Sequence, residues 1–98
     1  MNPIVLRLAR DDLRETWERL SEYGESPPKQ FRLSFEKFSS QVSDMPDMFS
    51  RYEHNPIYRR AVLAYGYLVF YQVEKASGRV KIYRVLHGKR DVQPLLES

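Results

Sequence analysis

Apolar and polar positions alternate at the start of the chain, where Ile4, Leu6 and Leu8 are interleaved with Val5, Arg7 and Ala9. A period of two with one fully apolar face predicts a short strand that ends at Arg10. The period then changes. Leu13, Trp17 and Leu20 recur at helical spacing, and Asp12 followed three residues later by Glu15 resembles a capping box, so an amphipathic helix is expected from there to Tyr23. Gly24-Glu25-Ser26-Pro27-Pro28 breaks this helix and places Ser26 to cap a second one, whose first turn tolerates proline. Phe31, Phe35, Phe38 and Val42 then fall at i, i+4, i+7 and i+11, one stripe on a helix from Pro28 to Val42. Phenylalanines gathered on one helix face are core residues rather than a ligand box, and the two helices should form a hairpin. Between Ser43 and Pro56 the periodicity fails and Asp44, Pro46, Asp47, Asn55 and Pro56 accumulate. An irregular connector is expected there, packed down by Met45, Met48, Phe49 and Tyr52.

From Ile57 onward β-branched and aromatic residues dominate, predicting strands over Tyr58 to Leu63, Tyr67 to Val73 and Arg79 to Leu86. Ala64-Tyr65-Gly66 and Glu74-Lys75-Ala76-Ser77-Gly78 are short enough to be hairpin connections, so the strands should be consecutive and antiparallel. The apolar run Tyr67-Leu68-Val69-Phe70-Tyr71 reads as the central strand, covered on both faces, and Tyr67 and Tyr71 share one of those faces in the core. After His87-Gly88 come Lys89-Arg90-Asp91 and a tail whose Leu95 and Leu96 suggest one helical turn. The order of strand, two helices and three strands makes an α+β fold, with no repeat and no low-complexity segment.

Ninety-eight residues, 42% hydrophobic and 30% charged, suit one domain spanning 1–98. No segment approaches bilayer-spanning length and the N-terminus lacks the basic stretch and apolar core of a signal peptide, so a soluble, cytoplasmic protein without membrane partners is expected. Absence of cysteine removes disulfides, thiolate metal sites and a cysteine nucleophile. His54 and His87 stand alone and far apart, so neither a metal site nor a cofactor is expected, and no nucleotide-binding loop or hydrolase elbow is present. Charge is divided unevenly. Residues 1–50 carry seven Lys/Arg against nine Asp/Glu, whereas residues 51–98 carry nine against four. The basic half suits RNA, DNA or an acidic protein partner.

Three blocks narrow this choice. Tyr58-Arg59-Arg60, Gly66-Tyr67-Leu68-Val69-Phe70-Tyr71 and Arg84-Val85-Leu86-His87-Gly88-Lys89-Arg90-Asp91 occur in order behind a strand and a helical hairpin. Together they resemble the RelE/ParE superfamily, the toxins of type II toxin–antitoxin systems, over nearly the whole chain, the last block being the most specific. The resemblance implies a helical hairpin packed on a small twisted antiparallel sheet. It also implies a cognate antitoxin whose C-terminal segment wraps the toxin, and a toxin–antitoxin complex that binds operator DNA through the antitoxin. A strand edge and a hydrophobic groove beside the hairpin would accept such a segment, and a basic half favours an acidic one.

The superfamily has two functional branches. RelE-like members cut messenger RNA on the ribosome, which requires a base for the 2′-hydroxyl, a cation at the scissile phosphate and an acid for the leaving oxygen. On that reading Arg59, His87 and Arg90 would be the catalytic residues. RelE-like enzymes carry an arginine where this chain has Leu68 and a tyrosine where it has Leu96, so the set is incomplete. ParE-like members bind and poison DNA gyrase, and the Arg-Val-Leu-His-Gly-x-Arg-Asp ending resembles theirs. The favoured expectation is therefore a ParE-like gyrase toxin with no catalytic residue, whose target-binding surface is formed by Arg59, Arg60, Arg84, Lys89 and Arg90. Arg84 is alternatively expected to pair with Asp91 and fasten the last strand. A non-toxic relative that only sequesters antitoxin is the remaining alternative.

Overall fold

The computed structural model describes residues 2–97; Met1 and Ser98, which the expected 1–98 domain includes, lie outside the described residues. In chain order the elements are β1 (Ile4–Val5), α1 (Arg7–Ser21), α2 (Ser26–Asp44), β2 (Arg59–Val62), β3 (Tyr67–Glu74), β4 (Arg79–His87) and α3 (Gln93–Leu96). A single 3-10 turn, Ala64–Gly66, joins β2 to β3. The α+β class and the helical hairpin are those expected.

The N-terminal strand is shorter than its alternation suggested. Leu6 is extended and α1 starts at Arg7, so Leu8, placed by the alternation on an apolar strand face, is 44% exposed. A helical period beginning at Ala9 overrides the alternation, because Ala9, Asp12, Thr16 and Leu20 form the buried face while the segment Arg7 to Arg10 consists of good helix formers. Asp12 is consequently inside the helix and not at its cap, and Trp17 lies on the flank of the buried face. α2 also starts earlier than expected. Ser26 is its first residue rather than its cap, and its hydroxyl accepts a hydrogen bond from Gln30 Nε2 at 3.1 Å. The phenylalanine stripe holds: Phe31, Phe38 and Val42 are buried against the sheet and Phe35 packs beside them.

The four strands are ordered β1-β4-β3-β2. β2 and β4 flank β3 in antiparallel register, with Arg59 opposite Tyr71 on one side and Tyr67 opposite His87 on the other. β1 runs parallel to β4, pairing Ile4 with Lys81 and Val5 with Ile82, so the sheet is mixed where an antiparallel one was expected. Leu6 alone links β1 to α1, which leaves no room for a reversal. The chain then reverses between the helices, before β2 and at each of the two hairpins, and this even number restores the direction of β1 in β4.

The sheet is covered on both faces. Helix residues Ala9, Leu20, Phe31, Phe38 and Val42 meet Val69, Tyr71, Ile82 and Val85 on one side. On the other, Val92 and Leu96 of the C-terminal segment close over Tyr58, Phe70 and Leu86. This double cover accounts for the unbroken apolar run of β3. Tyr67 and Tyr71 both lie in the helix-side core, Tyr71 meeting Phe38 edge-on at 5.4 Å. The register of β3 with β4 shifts between Phe70, which faces Arg84, and Tyr71, which faces Ile82, leaving Tyr83 as the extra residue of a bulge. Gly66 has φ +76°, and a Cβ there would stand 3.3 Å from the His87 ring, so the turn requires glycine at this point. In the connector Phe49 and Tyr52 pack down as expected, whereas Met45 and Met48 are 62% and 42% exposed. No helix among the described residues is long and apolar enough to cross a membrane.

Two outcomes follow from this packing. Phe38→Ala should cost about 3–5 kcal/mol, because it leaves a cavity among Phe35, Phe49 and Tyr71; urea denaturation checks this, and a loss below about 1 kcal/mol would contradict the packing. Burial pushes the Tyr71 hydroxyl up to about 12 from 10.0. A raised folded-state value means that the native state holds its proton more tightly than the unfolded chain. The corresponding stability is complete below pH 10 and is lost as pH rises through about 12. Denaturation midpoints across that window should fall more steeply for the native sequence than for Tyr71→Phe.

Candidate functional site

Consecutive residues of a strand point to opposite faces, and this separates the two arginines of β2. Arg59 lies on the helix side with Ala61. Its Nη1 donates to the Phe49 carbonyl at 2.7 Å and the Asp47 carbonyl at 3.3 Å, and its Nη2 pairs with Asp47 Oδ1 at 3.3 Å. With a side chain only 17% exposed, Arg59 fastens the connector to β2 and leaves a narrow edge open to the cleft at that end of the sheet. Arg60 is exposed on the outer face, opposite Phe70.

Arg84, expected on the basic surface, is turned inward. Its Nε and Nη2 donate to Asp12 Oδ2 and Oδ1 at 2.7 and 3.0 Å, and its Nη1 donates to the Leu95 carbonyl at 3.2 Å. The side chains of Arg84 and Asp12 are 13% and 7% exposed. The hydrogen bonds to Asp12 hold the guanidinium pKa above its ordinary value, although burial opposes this. Asp12 Oδ2 also accepts the Val85 backbone N–H at 2.9 Å. The partner of Arg84 is therefore Asp12 and not Asp91, which is exposed and has no ion pair among the described residues. The signal for this pairing lay in the phase of α1, since Asp12 falls with Ala9, Thr16 and Leu20 on the buried face.

Lys89 and Arg90 follow β4 and are exposed. Arg60 and Arg90 stand on the rim of an outer-face groove of about 530 Å³, together with Leu68, Tyr52 and His54. Tyr52 is held edge-on to Phe70 at 5.1 Å and to His54 at 5.4 Å. The groove combines two guanidiniums with aromatic and aliphatic surface, a composition suited to gripping an acidic or amphipathic protein segment.

The residues proposed for nuclease chemistry converge only in part: His87 and Arg90 line one small pocket with Glu15 and Arg19, and Arg59 stands apart from them. Arg59 faces Tyr71 and His87 faces Tyr67, four positions apart on β3, which is roughly 13 Å along the strand. Arg59 also lies on the face opposite the groove that Arg90 lines. His87 is engaged in the turn: its Nδ1 accepts the Lys89 N–H at 3.1 Å and its ring meets Tyr67 edge-on at 5.0 Å. Leu96 is buried beneath the outer face. No group of three or more His, Cys, Asp or Glu among the described residues is arranged to hold a metal.

Because Arg84 and Asp12 are buried as a pair, removing one partner should strand the other. Asp12→Leu and Arg84→Met should each cost about 3–5 kcal/mol, whereas the double variant carrying both changes should lose less than either single change. Denaturation of the four proteins measures the coupling; simple addition of the two losses would contradict a direct pair.

Comparison with known proteins bears on this geometry. No protein of curated function matches the chain. Among solved structures, a chain of the chromosomal ParDE toxin–antitoxin system from P. aeruginosa superposes with a TM-score of 0.60 at 16% identity, covering 89% of this chain and 95% of that one. At that identity the likeness speaks for the fold. The sequence profile described as ParE toxin of type II toxin-antitoxin system, parDE, matches residues 4–92. Spanning every element from β1 through β4, that match shows that the chain belongs to the ParE toxin family of type II toxin–antitoxin systems.

Proposed function

We propose that this ParE-family chain inhibits growth by binding DNA gyrase through its outer basic face and is neutralised by a cognate antitoxin. The observation that carries the reading is the outer groove itself. Arg60 and Arg90 flank Leu68 there, with His54 and Asp91 on the same rim. An aliphatic residue between two guanidiniums supports adhesion to a protein surface. Lys89 extends the same exposed surface. Arg59 and Arg84 contribute indirectly, one by fixing the connector and the other by fixing the C-terminal turn.

On this reading the toxin breaks no bond itself, and residues 1–98 act as one cytoplasmic toxin domain. The antitoxin supplies an acidic wrapping segment and carries the operator-DNA contact for the complex. An acidic segment suits the basic C-terminal half, and occupation of the outer face would remove the surface offered to gyrase.

Controlled expression in bacteria tests the target. Early arrest of DNA synthesis with SOS induction is expected. Prompt translation arrest with codon-position cuts in messenger RNA would overturn the gyrase reading in favour of a RelE-like nuclease, and unimpaired growth would favour a non-toxic relative. With purified components, Arg60→Ala, Lys89→Ala and Arg90→Ala should each weaken gyrase binding by roughly fivefold, the upper end of an exposed charge contact. Binding unchanged in the triple variant would remove the outer face as the contact.

A further inference from the structure

A second cationic cleft lies at the end of the sheet away from His87, between the connector and the β3–β4 hairpin, with a volume of about 400 Å³. Arg51, Arg59 and Lys75 line it, facing Asp47 and Glu74. Its construction is unusual in one respect. Arg51 and Arg59 are direct partners in an isolated antiparallel bridge, so two guanidinium-bearing side chains leave adjacent backbones on the same face. Like charges in that relation destabilise a sheet unless something of opposite charge lies between them.

The carboxylates at hand fill that role only in part, for Arg59 and not for Arg51. Asp47 is engaged by Arg59 at 3.3 Å. Glu74 is turned to Lys81 at 3.1 Å and to the Ser77 hydroxyl at 3.0 Å, and the hydrogen bonds from these two groups hold its carboxyl below the ordinary range. Arg51 donates to a neutral group, the Pro56 carbonyl, at 2.9 Å, and Lys75 has no side-chain partner among the described residues. Two cations therefore face the cleft without a carboxylate of their own. Arg59, anchored by the Phe49 and Asp47 carbonyls, supplies a fixed third donor. A rigid guanidinium, a second guanidinium opposite it and an ammonium across an open cleft match the several acceptor oxygens of a tetrahedral oxyanion.

We propose that this cleft binds a phosphate group through Arg51, Arg59 and Lys75. The group is either a phosphodiester of a nucleic-acid backbone or free phosphate. The inference does not rest on the gyrase reading, because the cleft lies on the helix side of β2 and the groove lined by Arg60 and Arg90 lies on the other.

The test uses the full chain, titrated separately with inorganic phosphate and with a short DNA duplex while the arginine Nε–H signals and backbone amides are followed by NMR. Saturable shifts at Arg51 and Arg59 are expected. Arg51→Gln/Lys75→Gln should weaken binding about tenfold, while Arg60→Gln/Arg90→Gln leaves phosphate binding unchanged. Lys75→Gln alone lies in an exposed turn and keeps the test independent of any folding defect at Arg51. Shifts with both probes support the site and identify nucleic acid as a source of the phosphate; shifts with inorganic phosphate alone support the site and identify the free anion. If neither probe moves Arg51 and Arg59, or if the Lys75 and Arg51 variants bind as the native chain does, the proposal is overturned.

Discussion

The guanidinium of Arg84 joins three parts of the chain that local sequence leaves unconnected. It forks onto Asp12 of α1 and reaches the Leu95 carbonyl of α3, while Asp12 also takes the buried Val85 N–H, beyond the stretch of β4 that β1 pairs. Without Asp12 a guanidinium would be left without its counter-ion and a buried backbone donor without a partner, the neutral donor alone costing about 1–3 kcal/mol. Taking two ions out of water is itself unfavourable, so the pair is better understood as fixing an arrangement than as adding net stability. The arrangement it fixes is the seating of α1 along β4 and of the C-terminal turn over the outer face. The bulge at Tyr83 is part of the same device, since the extra residue changes the facing of β4 between Ile82 and Val85 and admits Arg84 to Asp12.

From that clasp the outer groove follows. α3 is held by Arg84, by the Tyr58 hydroxyl on the Leu96 carbonyl and, through Gln93, by the His54 carbonyl. Val92 and Leu96 then close the outer core, and the segment leading to them carries Lys89 and sets Arg90 in one groove with Arg60. A short C-terminal turn with little burial of its own would not hold those cations in place. Its three hydrogen-bonded attachments and the apolar pair beneath it do so.

β2 divides the remaining basic residues by the plainest rule of strand geometry. Arg59 and Arg60 are neighbours in sequence and therefore occupy opposite faces, one fastening the connector and lining the hairpin-end cleft, the other lining the outer groove. The resemblance assigned the strand-two cation to Arg59, but the exposed outward side chain is that of Arg60. A one-residue difference in register exchanges an anchored side chain for an exposed one.

The sequence by itself determined the elements whose evidence is periodic or local. The phenylalanine stripe of α2, the doubly covered run of β3, the glycine-bearing hairpins and the arginine-rich final block could be assigned because each is written in neighbouring residues. The tertiary structure alone decided the parallel pairing of β1, the length of α1 and the fate of Arg84. Leu6 to Arg10 satisfies a strand pattern and a helix pattern equally well, and only burial of Ala9 and Asp12 against β4 selects the helix. Asp12 and Arg84 lie 72 residues apart, and each carries a charge that local reading places in solvent. Long-range charge pairing leaves no periodic trace, so which basic residues remain free for a partner is settled only when the folded chain has consumed the others.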